Sequence, residues 1–294
     1  MRAETRKPTT ALVLAGGGSF GAVQVGMLKA LVAHGVAAEV DMVVGSSVGA
    51  LNAAYFAGRP NAQGVAELER LWTGIRRGDI FPFGWHSLLG LILRRDFLVA
   101  PHGLRRLVEA NLPYRRLEDA ALALSIVATD LLTGEAVVLS RGPAAEAVVA
   151  SCAIPAAFPA VRLDERYLAD GALTSNTPVR IAVANGARRL IVLPTGYACS
   201  RRAPPQGALA NALHALTLLI ARQLVAELET LDADVEFHIV PTLCPLDGSP
   251  YEFGETAHLI ARSAECAERW LIDGGLGRSD IPAQLRPHSH HQAS

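Results

Sequence analysis

The sequence is poor in aromatic residues and has no apolar run long enough to cross a membrane. Aromatic residues make up 5% of its 294 residues, although 50% of the residues are hydrophobic. A membrane-spanning helix needs about 18 consecutive apolar residues or more, whereas the best candidate, 212–221, is short and contains His214 and Thr217. We therefore expect a protein that is soluble or at most peripheral to a membrane, with its apolar surplus in a core or a ligand site.

The sequence also lacks paired cysteines and an excess of either charge. Cys152, Cys199, Cys244 and Cys266 form no C-x-x-C pair, and this spacing fits neither a zinc site nor a dense disulfide framework. With 27 basic and 28 acidic residues the net charge is −1, which argues against nucleic-acid binding through a basic field. Residues 1–9 are polar and contain no signal-peptide core, so we expect a disordered N-terminus and a cytoplasmic location.

The chain does contain an alternation of short apolar runs and helical patterns. Residues 11–15 and 42–44 are typical of buried strands, and helical patterns follow them at 22–34 and 48–57. This order predicts an α/β fold. No linker divides the chain, so we expect one domain over 10–273 and a loose tail over 274–294. Further strands are predicted at 124–128, 136–139, 166–169, 190–193 and 235–240, and further helices at 208–231 and 255–272.

A glycine-rich turn opens the first predicted helix directly after the first strand. Gly16, Gly17 and Gly18, together with Gly21, match the G-x-G-x-x-G pattern of dinucleotide-binding loops. The same turn could present backbone N–H groups to an oxyanion, or it could be a tight turn without chemistry. The dinucleotide alternative predicts an acidic residue at the end of the next strand, whereas Asp41 comes before that strand.

A G-x-S-x-G pentad follows the second predicted strand. Gly45 and Gly49 flank Ser47, and this pattern places a serine on a sharp turn between a strand and a helix, where the glycines relieve crowding. The pentad lies one strand–helix unit after a candidate anion loop. That context favours Ser47 as a nucleophile over a purely structural turn.

A nucleophilic serine needs a base, and the sequence offers two alternatives. A histidine is not indicated, because His214 and His258 lie in helical patterns and three others lie in the terminal tail. Asp170 precedes Gly171 at a predicted strand end, where its carboxylate can point into a site as the chain turns away. A carboxylate with a pKa of about 3.9 is a weak base, so Asp170 would need a short hydrogen bond in a dry pocket. Asp-Gly is also a common turn dipeptide without any function.

In this order the motifs resemble those of the patatin-like phospholipase family, especially its bacterial members. The glycine turn with residues 22–31 resembles the family's oxyanion loop and first helix, and residues 45–49 match its nucleophile elbow. Residues 150–159 resemble the segment before the catalytic aspartate, and residues 170–172 match the D-G-[GA] motif. The resemblance spans about residues 10–195.

The resemblance implies a three-layer α/β/α fold with a mostly parallel central sheet. It also implies hydrolysis of lipid acyl esters (phospholipid, lysophospholipid or acylglycerol) by a Ser–Asp dyad that needs no metal or organic cofactor. The lipid substrate would be the partner, and peripheral membrane contact is compatible with this function. By position, Ser47 would be the nucleophile and Asp170 the base. Oxyanion donors would come from Gly16, Gly17 and Gly18, and the motifs would be supported by Gly21, Gly45, Gly49 and Gly171.

One residue departs from the family pattern and keeps other hypotheses open. Phe20 stands before the last loop glycine, where the family commonly has Arg or Lys. A lipid-binding or regulatory protein with weak catalysis is therefore one alternative, and a nucleotide-binding α/β protein that uses the glycine loop is another. The aromatic segment 81–93, followed by Arg94 and Arg95, is either a lid that dips into a bilayer or a core helix.

Overall fold

The computed structural model describes residues 9–80, 102–155, 157–196, 208–246, 252–286 and 288. Within the helix that starts at residue 208, the side chains of residues 208–210, 212–214, 216, 217 and 221 are also outside the description. Residues 1–8 of the predicted disordered N-terminus 1–9, and the candidate lid 81–93, lie outside the described residues.

The centre of the molecule is a sheet in which most neighbouring strands are parallel. Its strands are β1 Thr10–Leu14, β2 Met42–Ser46, β3 Ala123–Asp130, β4 Ala136–Leu139, β5 Val161–Leu163, β6 Arg166–Asp170, β7 Arg189–Leu193 and β8 Glu236–Ile239. Hydrogen-bonded neighbours follow the path β5-β6-β3-β2-β1-β7-β8, and β4 also pairs with β3. The pairs β3–β2, β2–β1, β1–β7 and β7–β8 are parallel, whereas β4, β5 and β6 add antiparallel pairs.

Helices connect most of these strands. Those that the structure describes are α1 Gly21–Ala33, α2 Val48–Gly58, α3 Ala62–Gly74, α4 Arg77–Ile80, α5 His102–Asn111, α6 Ala144–Ser151, α7 Ala172–Ser175, α8 Val179–Ala184, α9 Ala208–Leu228 and α10 Thr256–Ile272. Every strand and helix predicted individually is confirmed, with limits that differ by three residues at most. The short elements β5, α6, α7 and α8 are absent from the prediction, because so few residues show no clear periodicity.

Alternate residues of the central strands face two separate cores. Leu12 and Leu14 of β1 belong to the larger core, which α1, α2, α3 and α10 cover. Ala11 and Val13 belong to the smaller core, which α8 and α9 cover. A strand that is buried on both faces has a continuous apolar sequence. The predicted α/β fold with a mostly parallel central sheet between two helical layers is thereby confirmed.

The segment after α10 packs against the smaller core. Leu285 is buried there, and Arg286 forms an ion pair with Glu229, the residue that follows α9. Phe237 of β8 donates its backbone N–H to the Ser279 hydroxyl at 3.1 Å. The loose tail predicted from residue 274 is therefore packed as far as Arg286. Among the described helices, none combines the length and the apolar character that a membrane crossing requires.

The crossing of α1 and α10 depends on a glycine. A Cβ atom on Gly26 would overlap the Ser263 hydroxyl and the Ile260 carbonyl oxygen, and it would lie 2.7 Å from the Ala264 nitrogen. Two of these three obstacles are backbone atoms, which cannot rotate away. The two helices can pack at this distance only because position 26 has no side chain.

We expect Gly26→Ala to lower the free energy of unfolding by about 1–3 kcal/mol, because overpacking a close helix contact forces the backbone to shift. Urea unfolding followed by circular dichroism measures this change. The matched control is Gly74→Ala at the end of α3, where an added Cβ would contact nothing within 4 Å. Equal stability of the two variants would contradict the prediction.

Candidate active site

The strands that carry Ser47 and Asp170 meet end to end along one edge of β3. Strand β4 pairs with β3 residues 126–129 and therefore occupies one edge of β3. The β3 residues that pair with β2 (123–127) and with β6 (128–130) both overlap this range, so β2 and β6 lie on the opposite edge of β3. The last residue of β2, Ser46, pairs with Val127, and the last residue of β6, Asp170, pairs with Ala128. Because β2 and β6 run towards each other, their carboxyl ends are one register position apart.

Ser47 occupies a strained turn between β2 and α2. Its φ of 53° and ψ of −128° lie in a region that L-residues rarely adopt. The flanking glycines permit the tight turn, since a Cβ on Gly45 would lie 2.6 Å from the Gly49 carbonyl carbon and one on Gly49 would lie 2.6 Å from the Ala15 carbonyl oxygen. The backbone N–H of Ser47 donates to the Ser151 hydroxyl at 2.8 Å. The turn projects the Ser47 side chain towards the end of β6.

The side chains of Ser47 and Asp170 form a direct hydrogen bond. Ser47 Oγ donates to Asp170 Oδ2 at 2.7 Å, and Asp170 Oδ1 accepts the Ala172 N–H at 2.8 Å. The two residues are only 6% and 4% exposed. Burial raises the pKa of Asp170 to about 6, although the hydrogen bonds from Ala172 and Ser47 oppose this shift. A hydroxyl bonded to a buried carboxylate of raised pKa can pass its proton to that carboxylate.

Gly171 lets the chain turn away directly beneath this pair. A Cβ at this position would lie 2.6 Å from Ser46 Oγ and 2.8 Å from the Val127 carbonyl carbon. The dipeptide that follows β6 is therefore constrained by its contacts with β2 and β3, not only by the local turn.

The glycine loop after β1 lies against the Ser47 side chain. A Cβ on Gly16 would overlap Asn176 Oδ1 and lie 3.0 Å from Ser47 Cβ. The Gly16 N–H donates to the Asn176 carbonyl at 2.9 Å, and the Gly16 carbonyl accepts the Thr195 hydroxyl at 2.6 Å. The Gly16 N–H is thus engaged within the protein. Within the described part of the chain, no hydrogen bond engages the N–H groups of the next two residues, 17 and 18.

A buried polar network, absent from our sequence analysis, lies beneath the loop. Gln24 Nε2 donates to the carbonyls of Ala15 and Leu193 at 2.8 and 2.9 Å. Asn52 Nδ2 donates to Gln24 Oε1 at 2.8 Å, and Asn52 Oδ1 accepts the indole N–H of Trp72 at 2.8 Å. The network joins α1, α2 and α3 to the ends of β1 and β7. The only signal for it in the sequence is that Gln24 and Asn52 interrupt otherwise small or apolar helical faces.

Residues proposed for the alternative chemistries lie elsewhere. No histidine in the described part of the chain forms a hydrogen bond with Ser47 or Asp170. His258 is exposed on α10, whereas the side chain of His214 lies outside the described residues. Asp41 accepts the Thr10 N–H at 2.8 Å at the amino end of β1, across the sheet from the glycine loop.

The remaining sequence candidates show no second reactive cluster. Phe20 is half-buried and packs against the larger core. Cys152 and Cys266 are free thiols, and burial together with the Asp170 charge raises the pKa of Cys152. The Cys244 Sγ lies 3.1 Å from His288 Nε2. Cys199 lies outside the described residues. Over the described ranges, no group of three His, Cys, Asp or Glu residues is arranged to hold a metal ion.

The chain is similar to proteins with patatin-like phospholipase domains. An uncharacterized NTE family protein of Mycobacterium tuberculosis is 31% identical over 175 residues, which are 59% of this chain and 28% of that protein. Patatin-like phospholipase domain-containing protein 6 of Homo sapiens is 29% identical over 190 residues, which are 64% of this chain and 13% of that protein. The chain thus spans less than a third of the length of these relatives.

A solved structure supports the fold independently. VipD from Legionella pneumophila matches 92% of this chain and 67% of its own chain with a TM-score of 0.51, at 16% sequence identity. The family model described as patatin-like phospholipase matches residues 12–183, which is more than half of the chain. The chain belongs to the patatin-like phospholipase family.

Proposed function

We propose that the protein is a serine acyl hydrolase that cleaves lipid acyl esters with Ser47 as nucleophile and Asp170 as base. Membership of the family supports the general reaction class, hydrolysis of lipid acyl esters. The observation that carries the finer proposal is the 2.7 Å hydrogen bond from Ser47 Oγ to a buried Asp170 carboxylate. The substrate class is a phospholipid, lysophospholipid or acylglycerol. The protein meets this substrate at a lipid surface, to which it binds peripherally at most.

In the first half-reaction Ser47 Oγ attacks the ester carbonyl carbon while its proton passes to Asp170 Oδ2. The carbonyl oxygen becomes an oxyanion, and the N–H groups of Gly17 and Gly18 stabilise it. We restrict the oxyanion donors to these two residues because the Gly16 N–H already donates to Asn176. Such preorganised donors usually contribute the largest single share of transition-state stabilisation in acyl transfer. The tetrahedral intermediate then collapses, and the departing alcohol takes the proton from Asp170.

In the second half-reaction water hydrolyses the acyl ester on Ser47. Asp170, again ionised, accepts a proton from the attacking water, and the same N–H groups hold the second oxyanion. Collapse releases the fatty acid and returns the proton to Ser47 Oγ. No step calls for a metal ion or an organic cofactor.

The rival functions have less support from the site. A nucleotide-binding loop would need a carboxylate near the ribose, but Asp41 is bonded to Thr10 at the opposite end of the sheet. A purely lipid-binding protein is motivated by Phe20, yet the proposed donors are backbone groups that this side chain does not replace. Neither rival explains why a serine and an aspartate are held together at a strained, buried turn.

We expect Ser47→Ala and Asp170→Asn each to lower kcat for p-nitrophenyl butyrate by about 10³-fold or more, since members of one catalytic unit fail together. A fluorophosphonate probe should label the wild type and fail to label Ser47→Ala. Asp130→Asn is the matched control, because Asp130 is also a buried aspartate at a strand end, but within the described part of the chain its side chain accepts only the Leu132 N–H. Near wild-type turnover in Asp170→Asn would refute the dyad.

The pH profile follows from the raised pKa of Asp170. The base must be ionised, so kcat/KM should fall about tenfold for each pH unit below about 6 and reach a plateau above it. Initial rates measured from about pH 4.5 to about pH 8.5, with the folded fraction monitored at each pH, test this expectation. A plateau that extends unchanged to about pH 4.5 would exclude Asp170 as the base.

The same pKa makes Asp170 a destabilising group at neutral pH. Its folded pKa lies above its ordinary value of 3.8, so the folded state holds the proton more tightly and stability falls as pH rises from about 4 to about 6. Asp170→Asn should therefore be more stable than the wild type above pH 6, by about 3 kcal/mol. The difference should vanish towards pH 4. Thermal unfolding at several pH values measures it, and a variant less stable than wild type at about pH 8 contradicts it.

A further inference from the structure

The last turn of α6 contacts the backbone on both sides of the Ser47–Asp170 pair. Ser151 is fully buried, and its hydroxyl accepts the Ser47 N–H at 2.8 Å while it donates to the Val127 carbonyl at 2.5 Å. Val127 is the β3 residue that pairs with Ser46. One hydroxyl therefore joins the turn that carries the nucleophile to the strand that sets its register.

The same short segment also holds the residue that carries the carboxylate. The Asp170 N–H donates to the Ala153 carbonyl at 2.9 Å, and the Gly171 N–H donates to the Ser151 carbonyl at 3.2 Å. Residues 151–153 thus supply acceptors to Ser47 on one side and to Asp170 and Gly171 on the other, although Ser47 and Asp170 are 123 positions apart in the chain.

The hydroxyl of Ser151 is the part of this arrangement that backbone atoms cannot replace. Strand β2 ends at Ser46, so the buried Ser47 N–H is not bonded within a strand pair. A buried N–H without an acceptor destabilises the folded chain, in addition to the strain of a positive φ at Ser47. A hydroxyl can accept and donate at the same time, which an alanine cannot do and a thiol does weakly.

We propose that Ser151 is a positioning residue that holds the Ser47 turn in the conformation in which Ser47 Oγ reaches Asp170 Oδ2. This inference rests on the proposed function. Ser151 makes no contact with the substrate in this role. It acts through the Ser47 backbone, so its loss should impair the chemical step more than substrate binding.

Kinetics of Ser151→Ala in the full chain test this role. We expect kcat per fluorophosphonate-titrated site to fall about tenfold to a hundredfold while KM changes by less than about twofold, because a small misplacement of a reacting atom has a large effect on rate. The matched control is Ser263→Ala, since Ser263 is equally buried but its hydroxyl, among the residues that the structure describes, bonds only the Ile260 carbonyl of its own helix. A general packing defect would lower the melting temperature of both variants and leave kcat per titrated site unchanged.

A second variant covers the case in which the alanine variant does not fold. Ser151→Cys keeps the shape of the side chain but offers only a weak donor and acceptor, so kcat per titrated site should still fall about tenfold. Wild-type kcat per titrated site in either folded variant would overturn the proposal.

A crystal structure of the folded variant separates this inference from the proposed function. Positioning predicts that the Ser47 Oγ–Asp170 Oδ2 distance, 2.7 Å in the wild type, increases beyond hydrogen-bond reach. Retention of that distance would overturn the role of Ser151 whatever the activity. If the wild type neither reacts with the fluorophosphonate nor hydrolyses any acyl ester, the proposed function fails, and the distance alone decides the positioning role.

Discussion

The end-to-end meeting of β2 and β6 on one edge of β3 is the constraint on which the site depends. Each strand reaches that edge from the opposite direction and stops where the other ends, so Ser47 and Asp170 come together without a long loop. A shift of one residue in either register would turn the side chains to the other face of the sheet. The apolar strands are buried on both faces, so such a shift would require both cores to repack and would lower the stability of the fold.

The same arrangement lowers the stability of the folded protein. It holds Ser47 in a strained turn and the Asp170 carboxylate away from water, and burial raises the pKa of that carboxylate to about 6. These features reduce stability at neutral pH. The surrounding polar groups compensate locally: Ser151 accepts the Ser47 N–H, and the Gln24, Asn52 and Trp72 network anchors the base of the glycine loop. Ser47 and Asp170 are therefore held by surrounding polar groups and are not two isolated side chains.

Much of the fold and the central pair was predictable because the signals are local. Continuous apolar runs indicated the parallel strands, and glycines around Ser47 and after Asp170 marked turns where a side chain can project. Ser151 and Gln24 could not be predicted in their roles. A serine at a helix end and a glutamine in a helix have many uses, and their partners lie in other elements. The hydrogen bond of the Gly16 N–H could not be predicted either, because its acceptor, the Asn176 carbonyl, is far along the chain.

By itself the sequence determined the order of the longer strands and helices, the absence of a long apolar span, and the motifs in which Ser47 and Asp170 stand. Periodicity and turn preference act over a few residues, so they are written in the chain directly. Only the tertiary structure decided that Ser47 Oγ lies 2.7 Å from Asp170 Oδ2, that burial raises the pKa of Asp170, and that the Gly16 N–H is engaged by the Asn176 carbonyl. Each of these depends on contacts between segments that only the packed sheet brings together.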